Sequence, residues 1–208
     1  MEEREKRENR IQMDYRRRLM RHLLESGAVK FGRFKLKSGR ISEYFINVAA
    51  AMKTGEDASL VADAYVRRIL ETGVDFDFVH GVAYKGIPIA ALISSKLCEH
   101  GFNKRWGYDR KDMKAYGDTS EMRIVGDLRD GDRVLIVDDV ITTGRTKVDV
   151  WRLLLSCRNV RPAGVLVAVD REEMSDEDRA LLDEHGLNVF TILKISDFKR
   201  EREKEHGF

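Results

Sequence analysis

Two adjacent carboxylates, Asp138 and Asp139, follow the apolar run Val134 to Val137. Both faces of that run are apolar, which marks a buried strand of a parallel sheet. A loop of hydroxyls and glycine follows, Val140-Ile141-Thr142-Thr143-Gly144-Arg145-Thr146, and then a helical spacing through Val148, Trp151, Leu154 and Leu155. Ligands of open α/β sheets bind beyond the carboxyl ends of the strands. A loop that opens a helix offers an anion backbone N–H groups, hydroxyls and the positive end of the helix dipole. A bare phosphate would be repelled by Asp138 and Asp139. A ligand that adds hydroxyls or a divalent cation to its phosphate would not, and a phosphorylated sugar meets both conditions. The plainer alternative is a strand-to-helix turn with an acidic cap, but the full order of strand, acid pair, Thr-Thr-Gly and helix is more specific than that. Neither a Walker A loop nor a G-x-G-x-x-G turn occurs in the chain.

Further candidates stand at comparable places. Lys85 lies in Ala83-Tyr84-Lys85-Gly86, after the strand-like Phe76 to Val82 and before a helix with Pro88 in its first turn. Residues 109–126 are polar, carry Arg110, Lys111 and Lys114, and show almost no hydrophobic period. A long loop inside a compact domain is usually functional, the alternative being a solvated crossing loop. Gly164 to Val169 reads as another buried strand, delivering Asp170 and Arg171 to the same edge. Arg171 either pairs with Glu172 or Glu173 or serves a ligand.

The elements that position these residues follow from periodicity. Ile11, Tyr15, Leu19 and Leu23 predict a helix over residues 2–26, with Gly27 as its stop. Phe34 and Leu36 alternate with Arg33, Lys35 and Lys37; Ser38-Gly39 marks a turn, and Tyr44, Phe45 and Ile46 give a second strand, so a small hairpin stands outside the main repeat. Thr54 caps a helix that ends at Gly73, a short strand spans Trp106 to Tyr108, and Ser175 caps a helix that ends at Gly186. Val189 to Leu193 is a last strand, and a charged helix or tail follows from Ser196. Alternating strands and helices give an α/β fold with a central parallel sheet flanked by helices. At 208 residues, we expect a single domain over 1–208, with hood elements from about 1–50.

Composition narrows the class. A hydrophobic fraction of 42% supports a sizeable core, and a net charge of +2 with 36% charged residues argues against a nucleic-acid partner, which would need a strong basic excess. No apolar run reaches membrane-spanning length, and the charged N-terminus does not read as a secretory signal. A cytoplasmic protein is expected. Cys98 and Cys157 are expected to be buried free thiols, and the histidines show no metal-ligand spacing.

The strand, acid pair and hydroxyl loop resemble the phosphoribosyl-pyrophosphate (PRPP) motif of type I phosphoribosyltransferases. Three further blocks resemble the orotate phosphoribosyltransferases in the family's order: Phe-x-Leu-Lys-Ser-Gly-Arg-x-Ser-x-Tyr-Phe-x-Asn over 34–47, Gly-x-Ala-Tyr-Lys-Gly-Ile-Pro-Ile-Ala over 81–90, and Arg-Lys-x-x-Lys-x-Tyr-Gly over 110–117. The resemblance implies the type I phosphoribosyltransferase fold with a small N-terminal hood. It also implies transfer of a 5-phosphoribosyl group from PRPP to orotate, giving orotidine 5′-phosphate and diphosphate in pyrimidine biosynthesis. By this resemblance Asp138 and Asp139 hold the ribose, residues 142–146 grip the 5′-phosphate, and Val140 and Ile141 are substrate-binding as well. Tyr84, Lys85, Arg110, Lys111 and Lys114 meet the diphosphate, with Lys37 close by; Tyr116, among the substrate-binding residues, either supplies a hydrogen bond or stands where the family's His is dispensable. The backbone at Phe45-Ile46 and the Arg171 guanidinium hold orotate. Lys85, Asp138, Asp139, Lys111 and Lys114 are the implied catalytic residues. Mg²⁺ arrives with PRPP, with no direct protein ligand, and a homodimer uses loop 109–126 to complete the neighbouring site. The chain departs from the family in having Glu43 where Pro is common and Tyr116 where His is usual. Tyr116 keeps a hydroxyl donor but cannot carry a positive charge. Two other readings fit a PRPP motif: a salvage transferase for another base, which would lack the basic hairpin and Arg171, and a PRPP-binding regulator, which would add a nucleic-acid surface.

Overall fold

The computed structural model describes residues 15–35, 39, 41–110 and 123–205. Residues 15–25 form helix α1, followed by β1 (Val29–Lys35), β2 (Ile41–Ile46), α2 (Gly55–Thr72), β3 (Phe78–Gly81), α3 (Gly86–Glu99), β4 (Arg105–Asp109) and β5 (Ile124–Gly126). The chain continues through β6 (Arg133–Ile141), α4 (Arg145–Cys157), β7 (Arg161–Asp170), α5 (Asp176–Glu184), β8 (Val189–Lys194) and α6 (Ile195–Glu205). Strands β1 and β2 form an antiparallel hairpin of their own, and the other strands make a six-stranded sheet in the order β5-β4-β3-β6-β7-β8.

Strand β6 lies inside the sheet, paired in parallel with β3 on one side and β7 on the other. Its residues Val134 to Val137 are all 0% exposed, as a doubly covered strand requires. Period-two alternation divides the core between the two faces. Val79, Leu135, Val137, Leu166 and Ala168 pack with Leu19 and Leu23 of α1, Tyr65 and Ile69 of α2, Ile93 of α3 and Phe198 of α6. Phe78, Val134, Ile136, Val165 and Val167 pack with Val148, Trp151 and Leu154 of α4 and Leu182 of α5.

The predicted caps form. Thr54 Oγ1 accepts the Asp57 N–H at 3.2 Å while Asp57 Oδ2 accepts the Thr54 N–H at 3.0 Å, and Gly73 closes α2 in the left-handed region at φ 63°. Ser175 and Asp178 repeat the box at the start of α5.

The expected central parallel sheet flanked by helices is present and gains one antiparallel edge, because β5 runs antiparallel to β4, with Asp109 opposite Ile124. Two expectations need correction. The polar stretch expected over 109–126 is therefore shorter: Asp109 ends β4, Ile124–Gly126 are strand, and the Arg110 N–H donates to Arg123 O at 2.9 Å across the neck of the loop. Three residues with one buried isoleucine are too short to give a periodic signal, and pairing with β4 is what makes them a strand. Cys98 is exposed, because α3 buries Ile93 and Leu97 and the next residue turns about 100° away from that face, and Cys157, the last residue of α4, is only half-buried.

Candidate active site

Strand β6 delivers Asp138 and Asp139 to the carboxyl edge of the sheet, where both are buried, at 9% and 6% exposed. Two buried carboxylates side by side are costly unless each is paired. Lys147 Nζ lies 2.5 Å from Asp138 Oδ2 and also donates to Val140 O at 3.0 Å. Lys85 Nζ donates to Asp139 Oδ2 at 2.8 Å. Asp138 Oδ1 accepts the Asp139 N–H at 2.9 Å, and the buried Tyr65 hydroxyl donates to Asp138 O at 2.7 Å. Burial pushes the Asp138 carboxyl up, against the pull of the Lys147 ammonium. Burial, and then the two acids beside it, push the Tyr65 phenol well above its ordinary value, so it remains a hydrogen-bond donor.

Beyond the acids the chain turns through Thr142 and Thr143, both half-buried, to Gly144. Gly144 sits at φ +79°, and a Cβ there would lie 2.7 Å from Leu182 Cδ1. Glycine meets both demands and leaves the start of α4 without a side-chain cap, so its N-terminal end faces the crevice uncapped. Arg145 reaches away from this end, its Nε donating to Asp178 Oδ1 at 2.8 Å. Arg145 and Thr146 are exposed, whereas the Ile141 side chain is wholly buried, so only the backbone of Ile141 can meet a ligand.

Lys85 stands at the start of α3, beside the cis peptide Ala83–Tyr84. Tyr84 is 62% exposed. A cavity of about 170 Å³ opens beside the Lys85–Asp139 pair, lined also by Ala49, Met52, Pro88 and Ile89.

Opposite, the hairpin meets β7. Arg171 lies with its guanidinium 4.8 Å over the Tyr44 ring and its Nε 3.0 Å from Glu173 Oε1. The Tyr44 hydroxyl donates to the same oxygen at 2.5 Å, and burial together with Glu173 holds that phenol up at about 12. Phe45 is 41% exposed and 5.8 Å from the Phe34 ring, while the Ile46 side chain is buried. Thus Tyr84, Lys85, Asp138, Asp139 and the 140–146 loop share the carboxyl edge of β3 and β6, and Arg171 lies at the carboxyl end of β7 under the hairpin. Lys37, Lys111, Lys114 and Tyr116 lie outside the described residues, and Arg110 is described only at the root of its loop.

Lys147 and Tyr65 were missed from the sequence, whereas Glu173, one of the two partners it offers Arg171, is the one Arg171 takes. Lys147 carried a readable signal, since it sits at an inward helical position with Trp151 and Leu154 at i+4 and i+7, where an apolar residue belongs.

Residues 53–197 match the family model for the phosphoribosyl transferase domain. The orotate phosphoribosyltransferase of Thioalkalivibrio sulfidiphilus is 39% identical over 199 residues, covering 90% of each chain. The crystal structure of the orotate phosphoribosyltransferase of Francisella tularensis is similar with a TM-score of 0.73 and 31% identity, covering 89% of each chain. The Leishmania donovani UMP synthase structure matches with a TM-score of 0.73 and 29% identity, over 92% of this chain and 39% of that one. Similarity of this extent, on a crevice built in this way, places the chain in the orotate phosphoribosyltransferase family.

Proposed function

We propose that the chain transfers the 5-phosphoribosyl group of PRPP to orotate, forming orotidine 5′-phosphate and diphosphate. The observation that carries this reading is the joining of two lysine–aspartate pairs, Lys85–Asp139 and Lys147–Asp138, beside the uncapped start of α4. The helix end and its loop suit the 5′-phosphate. The acids suit the ribose hydroxyls, which can donate to them. Lys85 is half-exposed and within reach of a departing diphosphate, whose charge an ammonium group offsets as the bond breaks. Arg171 suits the orotate carboxylate, which would take the place Glu173 now holds.

The reaction asks for no strong base, because the orotate ring nitrogen can bind already deprotonated. Positioning and electrostatics then supply most of the acceleration, and excluding water from the crevice would protect PRPP from hydrolysis. Mg²⁺ fits here as a cation carried by PRPP: Asp138 and Asp139 are oxygen donors of the right kind, but each has an oxygen held by a lysine, which favours contact through hydroxyls or metal-bound water. When bound, Mg²⁺ would add charge neutralisation on the diphosphate. We read the chain as one catalytic domain with a hood over about 1–50. We further read it as cytoplasmic, and as a homodimer in which Lys111 and Lys114 complete the neighbour's site.

The test is loss of orotate absorbance on mixing the protein with PRPP and Mg²⁺, with adenine, hypoxanthine and uracil alongside. Turnover with orotate alone is expected. PRPP binding without turnover of any base would overturn the enzyme reading in favour of a regulator, and turnover of a purine would favour a salvage enzyme.

A further inference from the structure

We propose that Asp109, with His80 behind it, is a positioning residue for the diphosphate: its carboxylate ties loop 82–86, which carries Lys85, to the carboxyl end of β4. The proposal rests on the PRPP reading of the crevice.

His80 lies on β3 and is 0% exposed, with Nε2 3.2 Å from Asp109 Oδ1. Its Nδ1 is buried with no hydrogen-bond partner among the described residues. With a proton on Nε2, the ring nitrogen that faces Asp109, His80 donates to that carboxylate. The same Asp109 oxygen accepts the Ala83 N–H at 3.1 Å. Burial tends to raise the Asp109 carboxyl, but the bonds from His80 and Ala83 outweigh it and hold the group below the usual carboxylate range. Asp109 is thus an ionised acceptor with two donors aimed at one oxygen.

One donor lies on β3 and the other on loop 82–86, which follows β3 and presents Lys85. The ends of loop 82–86 are fixed by backbone bonds: the Val82 N–H donates to Val137 O at 3.1 Å and the Gly86 N–H to Val82 O at 2.8 Å. Gly81 passes so near that a Cβ on it would lie 2.4 Å from Gly86 O. The middle of the loop, at Ala83, is held by a side chain from another strand. That side chain is the last residue of β4, which is held at its end by the Arg110 N–H donating to Arg123 O at 2.9 Å. One carboxylate therefore holds the middle of the loop that presents Lys85 against the end of β4, and so sets where the Lys85 ammonium stands toward the diphosphate in the proposed reaction.

The test uses the full chain and compares wild type, Asp109→Ala and Asp109→Asn for kcat and for KM of each substrate. Loss of the charged acceptor should raise the KM for PRPP roughly tenfold or more, while the KM for orotate stays within about twofold. Asn keeps an oxygen for Ala83 and should return the PRPP value to within about threefold of wild type. Equal disturbance of both substrates, or an Asn variant as impaired as Ala, would overturn the proposal. Hydrogen exchange of the Ala83 amide in the wild-type protein decides the same point without any variant: protection like that of the β3 amides supports the tether, and exchange at the rate of an exposed loop removes it. Absence of wild-type turnover would count against the transferase reading, and the exchange measurement would still decide the tether.

Discussion

Replacing Lys147 by Met removes the ammonium from Asp138 while keeping a side chain of similar length. In the native protein Lys147 is 5% exposed and its Nζ lies 2.5 Å from a carboxylate that is itself 9% exposed. Removing one partner of a buried pair costs about 3–5 kcal/mol, because the other charge is left without compensation. The cost should depend on pH in a fixed direction. Burial and Asp139 both push Asp138 up, and Lys147 is the chief opposing group. Without it the folded-state pKa rises further above the unfolded value of about 3.9. A carboxyl raised in the folded state takes up a proton on folding, so its penalty is full above the folded pKa and fades as pH falls through it. The variant should therefore lose about 3 kcal/mol of unfolding free energy at pH 8 and clearly less at pH 5, read from urea transitions at both values. In the double variant Asp138→Asn with Lys147→Met, most of the loss should return, giving a coupling energy of about 2 kcal/mol or more. A loss below about 0.5 kcal/mol at pH 8, or an equal loss at the two pH values, would refute the reasoning.

Other outcomes follow from the same geometry. Asp77 is held down at about 2 by the Arg133 guanidinium and backbone N–H. Its stabilisation is present above the unfolded carboxyl value and is lost as pH falls from about 4 toward 2; because the pair is partly solvated, Asp77→Asn should cost only about 1 kcal/mol at pH 7, seen as a lower urea midpoint. Gly144→Ala forces a Cβ at φ +79° against Leu182, so it should lose roughly 1–2 kcal/mol of stability and raise the KM for PRPP more than that for orotate. Arg171→Gln should raise the KM for orotate about 10–100-fold in steady-state assays, with the KM for PRPP nearly unchanged, since a charged donor to the carboxylate is removed. Lys85→Met should lower kcat about 10²–10³-fold with orotate KM little altered, because its charge is needed as diphosphate departs.

The amino-acid sequence by itself determined the repeat of strands and helices, the caps at Thr54, Ser175 and Gly73, and the placement of Asp138, Asp139 and Lys85 at strand ends. These depend on period-two or helical spacing and on local turn chemistry, which neighbouring residues carry along the chain. Strand β6 is the clearest case: four consecutive apolar residues imply cover on both faces, and both faces are covered. What only the tertiary structure decided is which distant groups meet. Lys147 reads as an intruder on the apolar face of α4 until β6 places Asp138 against it, nine residues earlier. The sequence offers Glu173 as a partner for Arg171, but only the packing brings Tyr44, 129 residues away, to donate to the same carboxylate oxygen. Strand β5 exists because β4 offers an edge, and Asp109 meets Ala83, 26 residues away, because β3 and β4 run side by side in parallel. Burying a charged group demands a partner, but no local pattern says which partner the packing will bring.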